Sequence, residues 1–241
     1  MIIAVTNAKG GTGKSTTAGA LAAGLAKRGK TALLVDADPQ GNATAGSGAT
    51  PVMWALDDVL SGRKKAAEAI VSCPGGYDVL PSAGALAALE IGGLDEDALA
   101  AALKPVARKY DFILVDTPPH MGALTAAVIT ASQKILVPTQ AEAYATSGLL
   151  HFVSLLNTAG AAGKLAGILI TLYQRRRIHA ETAEAIRGIF GDRVFRTVIR
   201  ANAAIAEAQA LKTSIFDYAP DSNGAVDYGA LVDELLERVG N

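Results

Sequence analysis

Cysteine and tryptophan each occur once in this 241-residue chain, at Cys73 and Trp54, and aromatic residues make up only 5% of it. A lone thiol excludes an internal disulfide framework and any cysteine-rich metal centre held within one chain. No apolar stretch approaches the roughly 18–20 residues that a membrane span needs. No basic region precedes the apolar start "MIIAVT", so the N-terminus does not read as a secretory signal and the expected compartment is the cytoplasm. An excess of charge of either sign is also missing: 22 Lys and Arg against 23 Asp and Glu leave a net charge of −1. Any contact with nucleic acid must therefore come from a local patch, not from overall charge.

Apolar side chains are plentiful. Half the residues are hydrophobic and 19% are charged, which allows a sizeable core and argues against disorder. Short apolar runs at 2–6, 31–36, 77–81, 112–116, 134–138, 166–172 and 194–199 are rich in Val, Ile and Leu, as strands covered on both faces are. Between them lie alanine-rich helical stretches at 15–28, 95–109, 123–131, 142–159 and 179–190, while "GNATAGSGATP" (41–51) reads as a small-residue loop. Strand–helix alternation of this kind predicts an α/β fold with a mostly parallel twisted sheet and helices on both faces. The length suits one large domain over 1–241.

The chemistry is concentrated in "AKGGTGKS" (8–15). This nearly matches the phosphate-binding P-loop spacing G-x-x-x-x-G-K-[ST], with Ala8 in place of the first glycine. It follows a strand and opens a helix. Gly10, Gly11 and Gly13 let backbone N–H groups, including those of Thr12 and Thr16, approach phosphate oxygens. Lys14 is placed to neutralise the β- and γ-phosphates of ATP, and Ser15 to hold Mg²⁺ through its hydroxyl. Lys9 is an additional cation at the start of the loop, poorly placed to curl back onto its own nucleotide. It is better placed to point outward, toward the phosphates of a second, facing subunit.

This arrangement resembles the deviant Walker A motif, "KGG-x-GK-[ST]", of the ParA/MinD family of ATPases. The resemblance continues through "LLVDADPQGNAT" (33–44), "YDFILVDTPPHMGALTAAVITAS" (110–132), "VPTQAEAYATSGL" (137–149), "GILITLY" (167–173) and "RTVIRANAAIAEA" (196–208), in family order over essentially the whole chain. It is closest to the small Soj-like partition ATPases. The chain opens at the first strand, without the helix-turn-helix extension of the larger plasmid proteins. The resemblance implies a weak Mg²⁺-dependent ATPase in which Lys9 crosses the interface of an ATP-sandwiched homodimer. It implies Asp116 as the Walker B acid, Asp36 near the same metal shell, and Asp38 as the residue orienting the attacking water. No arginine finger lies within these motifs, so hydrolysis should be slow until a partner, ParB-like in this family, stimulates it.

Two further regions depart from the family pattern. Relatives resemble "IPRN" beside the adenine, whereas this chain reads "IRAN" (199–202); Asn202 is retained and Arg200 takes the proline position. The family binds double-stranded DNA without sequence preference, through arginines on one edge of the dimer. Arg176 matches one such position, with Arg175 and Arg177 beside it and Arg200 as a candidate fourth contact. Residues 171–212 hold eight basic and four acidic side chains, and phosphate contacts of this kind give salt-sensitive affinity without base readout. The expected location is therefore cytoplasmic and nucleoid-associated. A MinD-like membrane-surface regulator is the alternative, but it would need a basic amphipathic C-terminal helix, and "LVDELLERV" (231–239) is acidic. An iron–sulfur reductase of the nitrogenase type would need two cysteines per subunit. His120 reads as a loop residue, and Trp54 with Leu56, Val59 and Leu60 as the apolar face of a helix.

Overall fold

A computed structural model describes residues 1–50 and 52–240. The apolar runs form strands β1 (Ile2–Val5), β2 (Ala32–Asp36), β3 (Val71–Ser72), β4 (Asp78–Leu80), β5 (Phe112–Asp116), β6 (Lys134–Gln140), β7 (Leu165–Tyr173) and β8 (Val194–Arg200). They pair in the order β3-β4-β2-β5-β1-β6-β7-β8. Every pairing is parallel except that of β3 with β4. Side chains alternate between the two faces because a strand repeats every two residues. Ile2, Ala4, Leu33, Val35, Ile113 and Val115 belong to one buried core, and Ile3, Val5, Leu34 and Leu114 to the other.

The helices are α1 (Lys14–Ala26), α2 (Asn42–Ser47), α3 (Leu56–Leu60), α4 (Ala66–Ala69), α5 (Leu86–Gly92), α6 (Ala98–Leu103), α7 (Ala123–Ala131), α8 (Ala145–Thr158), α9 (Arg177–Phe190), α10 (Ala203–Ala210), α11 (Ile215–Tyr218) and α12 (Asn223–Gly240). Helices α1 and α12 pack closely on one face: a Cβ at Gly24 would stand 2.6 Å from Val232 Cγ2. The other face is covered by α7, α8 and α9, through Val128, Phe152 and Ile186 among others. No described helix is long and apolar enough to cross a membrane.

Several expectations need correction. The helix foreseen over 95–109 stops at Leu103 and resumes only as a 3₁₀ turn at Ala107–Lys109; Pro105 has no N–H to donate and crowds the preceding turn. The stretch 41–51 is not all loop. Residues 42–47 form α2, held by Asp36, whose carboxylate accepts hydrogen bonds from the Thr44 N–H and hydroxyl, both at 2.7 Å; Pro51 lies outside the described residues. The helix foreseen from 142 begins at Ala145, after Tyr144 adopts a left-handed φ of 65°. Trp54 precedes α3 and lies half-exposed under the Lys64 ammonium, 4.2 Å from its ring centroid, whereas Leu56 and Val59 do face the core. Cys73 is buried, and burial pushes its thiol up to about 11.

Candidate nucleotide site

The parallel strands carry their C-terminal ends to one edge of the sheet, where ligands of doubly wound folds bind. There β1 runs through the glycine-rich loop into α1. Gly13 caps the helix with φ 82° and Gly11 has φ 72°, a left-handed region that side-chain-bearing residues avoid. The loop opens onto a cavity of about 630 Å³, lined by Gly10, Lys14, Ser15, Asp38, Leu172 and Asn202 among others.

Lys14 is only 7% exposed, and its ammonium donates to the Lys9 carbonyl at 3.2 Å. Burial lowers its pKa, opposed by the charges of Asp116 and Asp38. Asp116, closing β5, is fully buried, and neither carboxylate oxygen has a hydrogen-bond partner among the described residues. Burial first, and then the neighbouring Asp36 charge, holds its carboxyl well above the ordinary range, against the opposing effects of Ser15 and Lys14. A buried carboxylate with unfilled acceptors beside a lysine and a serine hydroxyl fits a Mg²⁺ ion reached through water. No group of three or more His, Cys, Asp or Glu among the described residues could hold a metal, so the ion would depend on phosphate and water oxygens for its remaining ligands. Asp36 stands beside Asp116 across the β2–β5 pairing. Its oxygens already accept from the Asp38 N–H and from Thr44, and burial raises its pKa to about 6. Asp38 lines the cavity and accepts from the Gln40 N–H at 3.0 Å.

Lys9 lies outside this pocket. Its ammonium meets Glu142 at 3.0 Å, with the two side chains 50% and 49% exposed. The Asn7 carboxamide fixes the backbone here, accepting from the Lys9 N–H and donating to the Pro138 carbonyl. The Thr16 hydroxyl bonds Gln209 of α10, and the Thr12 carbonyl accepts from the Thr171 hydroxyl at 2.8 Å. Asn202 caps α10 through the Ala204 N–H and lines the cavity.

Arg200 departs from expectation. Its backbone N–H, Nε and Nη2 all donate to the buried carboxylate of Asp227, at 2.9, 2.9 and 2.6 Å. It is absent from the cavity wall, and its guanidinium is held by the Asp227 carboxylate. By contrast, Arg175, Arg176 and Arg177 are all exposed where β7 turns into α9. Arg177 pairs with Glu181 at 2.6 Å and is 91% exposed, while Arg175 and Arg176 have no carboxylate partner among the described residues.

Sheet order, glycine loop, buried lysine and strand-end aspartates together define a P-loop nucleotide hydrolase of the deviant Walker A class. A family described as an AAA domain matches residues 1–164. The chromosome-partitioning ATPase Soj of Thermus thermophilus is 40% identical over 244 residues, spanning 98% of this chain and 96% of the relative. The sporulation initiation inhibitor protein Soj of Bacillus subtilis is 38% identical and spans 97% of both. The septum site-determining protein MinD of Pyrococcus horikoshii, solved with Mg-ADP, matches with a TM-score of 0.86 at 26% identity over 99% of this chain and 97% of that one. The chain belongs to the ParA/MinD family of ATPases, on its Soj/ParA partition branch.

Sequence reasoning missed the partners that hold these groups. Glu142, which anchors Lys9, sits inside "VPTQAEAYATSGL", where its acidic charge was a usable signal. Asp227 sits in a helix 27 residues from Arg200, with no local pattern to announce the pair.

Proposed function

We propose that the chain is an ATP-dependent DNA partition ATPase, one catalytic domain over 1–241 that pairs with a second copy across two bound ATP molecules. The observation that carries this reading is the opposite placement of its two loop lysines. Lys14 lines the cavity, whereas Lys9 lies outside it in a half-exposed ion pair. Such pairs contribute about 0–1 kcal/mol, so Glu142 releases Lys9 readily to the triphosphate of a facing copy, where charge-assisted contacts are stronger.

Within each copy, the amides of residues 10–15 and the Lys14 ammonium would hold the phosphates. Ser15 and, through water, Asp116 would hold Mg²⁺, which supplies charge neutralisation when bound. Asp38 orients the attacking water. The relatives' names and the Mg-ADP found in a neighbouring structure support ATP and Mg²⁺ as the ligands. Phosphoryl transfer depends on cations around the developing charge, so the monomer, lacking the second lysine in place, turns over slowly and a ParB-like partner accelerates the dimer. Arg175, Arg176 and Arg177 contact DNA phosphates, placing the ATP-bound dimer on the nucleoid in the cytoplasm. A membrane-surface role is disfavoured because Leu231, Val232 and Leu235 of α12 face the core.

The deciding experiment is binding of random-sequence double-stranded DNA at low salt with ATP, ADP or no nucleotide. Binding with ATP alone is expected. Equal binding in all three states, or none with ATP, would contradict the proposal.

A further inference from the structure

We propose that Leu172 is a positioning residue that ties the nucleotide cavity to the arginine loop. Its backbone is the first sign. Only Tyr144, Leu172 and Lys212 combine a side chain with positive φ among the described residues, and Leu172 has φ 51°. The β7–β8 ladder explains why. Ile170 pairs with Val198 but Tyr173 pairs with Arg200, so three steps on β7 face two on β8. The extra residue forms a bulge, a device that bends a strand and re-aims a side chain. Leu172 is thereby turned to the cavity wall while remaining 41% exposed.

Both flanks of the bulge are pinned. Upstream, the buried Thr171 hydroxyl bonds the carbonyls of Thr12 in the phosphate loop and Thr139, at 2.8 and 3.1 Å. Downstream, the Tyr173 carbonyl accepts from the Ala201 N–H at 2.9 Å. The Tyr173 ring meets His179 edge-on at 5.9 Å, and His179 Nδ1 accepts from the Gln174 N–H at 3.1 Å. The exposed arginines begin at the next residue. A leucine in a left-handed conformation is unfavourable and persists only where the surroundings over-determine it, as at ligand clamps and switches. Glycine would hold the same backbone without strain. The leucine side chain, set in the cavity wall, therefore contributes something that glycine could not. Leu172 thus serves both sides at once: its side chain adds apolar wall for a nucleotide, and the kinked backbone that carries it aims the arginine loop. This inference rests on the DNA role proposed for that loop, but part of its test does not.

The test compares Leu172→Gly with Leu172→Val, using tryptic nicking after residues 175–177 located by mass spectrometry, with and without a non-hydrolysable ATP analogue and Mg²⁺. The wild-type loop should be protected by the analogue. The glycine variant keeps the kink but loses apolar wall, so its analogue affinity should fall roughly 5–20-fold while loop protection and DNA affinity at saturating analogue stay within about 2-fold. The β-branched valine resists the left-handed conformation, so its loop should be nicked at least about 5-fold faster and its DNA affinity fall about 10-fold, with analogue affinity changed less than about 3-fold. Should the valine variant fold poorly by circular dichroism, Leu172→Asn replaces it as the comparison. Asparagine tolerates left-handed backbone, so it should behave like glycine. Wild-type nicking in the valine variant, or loss of protection in the glycine or asparagine variant, overturns the inference. DNA binding retained after alanine replaces all three arginines would instead sink the DNA role alone, since nicking does not depend on it.

Discussion

Asp116 is expected to make the nucleotide-free protein less stable than its shape allows. Its carboxylate is fully buried, neither oxygen has a hydrogen-bond partner among the described residues, and burial with the Asp36 charge outweighs the favourable effects of Ser15 and Lys14. Asp116→Asn keeps the outline of the side chain and removes the charge. An unpartnered buried carboxylate costs more than a neutral amide, by on the order of 1–3 kcal/mol, so the variant should be more stable without nucleotide. In a chain of this size that corresponds to a midpoint higher by roughly 3–10 °C. The gain depends on pH in a fixed direction. A carboxyl whose folded pKa is raised binds its proton more readily folded than unfolded, so wild-type stability climbs as pH falls from neutrality toward about 4. The advantage of the asparagine variant is therefore largest near pH 7.5 and shrinks at pH 5. Urea and thermal melts at both pH values, with no nucleotide and then with Mg-ATP, read each part. Mg-ATP should raise the wild-type midpoint by more than it raises that of the variant, which keeps the phosphate loop and Lys14 but loses one contact to Mg²⁺. An Asp116→Asn protein less stable than wild type at pH 7.5 by more than about 1 kcal/mol would refute the reasoning, because removing a charge that is net unfavourable in its site cannot carry that cost.

Other perturbations separate the arginines and the packing. Alanine at Arg175, Arg176 and Arg177 together should abolish the ATP-dependent shift of random DNA and reduce the salt slope by about three. Arg200→Ala should leave DNA affinity within about 2-fold, because the Asp227 carboxylate already occupies that guanidinium. Gly24→Ala places a Cβ 2.6 Å from Val232 Cγ2, an overpacking worth about 1–3 kcal/mol. Val232→Ala in the same chain should restore part of the loss in urea melts.

What could be read from the sequence was set by how local the physics is. The continuous apolar runs at 32–36 and 112–116 announced doubly covered strands, and the glycine loop announced its own conformation. Strand ends shifted by a residue or two, because pairing partners, not propensity, decide where a ladder stops. The two-residue β3 carries too few side chains to show a period. Helix α2 was hidden because Gly, Ala, Thr and Ser together have weak helical preference, and the helix depends on Asp36 across the turn. The same limit governed the site. Lys14, Ser15 and Asp116 follow from motif spacing, but the pairing of Arg200 with Asp227 and the bulge at Leu172 arise between elements distant in sequence. Arg200 looked available for phosphate only because its partner was out of view.

The central claim concerns Lys9, and the most direct measurement is the solution mass of the purified protein, by light scattering, with a non-hydrolysable ATP analogue and Mg²⁺. Wild type should run at twice the 24.6 kDa subunit mass. Lys9→Ala should bind the analogue and stay monomeric, whereas Lys14→Ala should lose the analogue altogether. A Lys9→Ala protein that dimerises as wild type does would contradict the account.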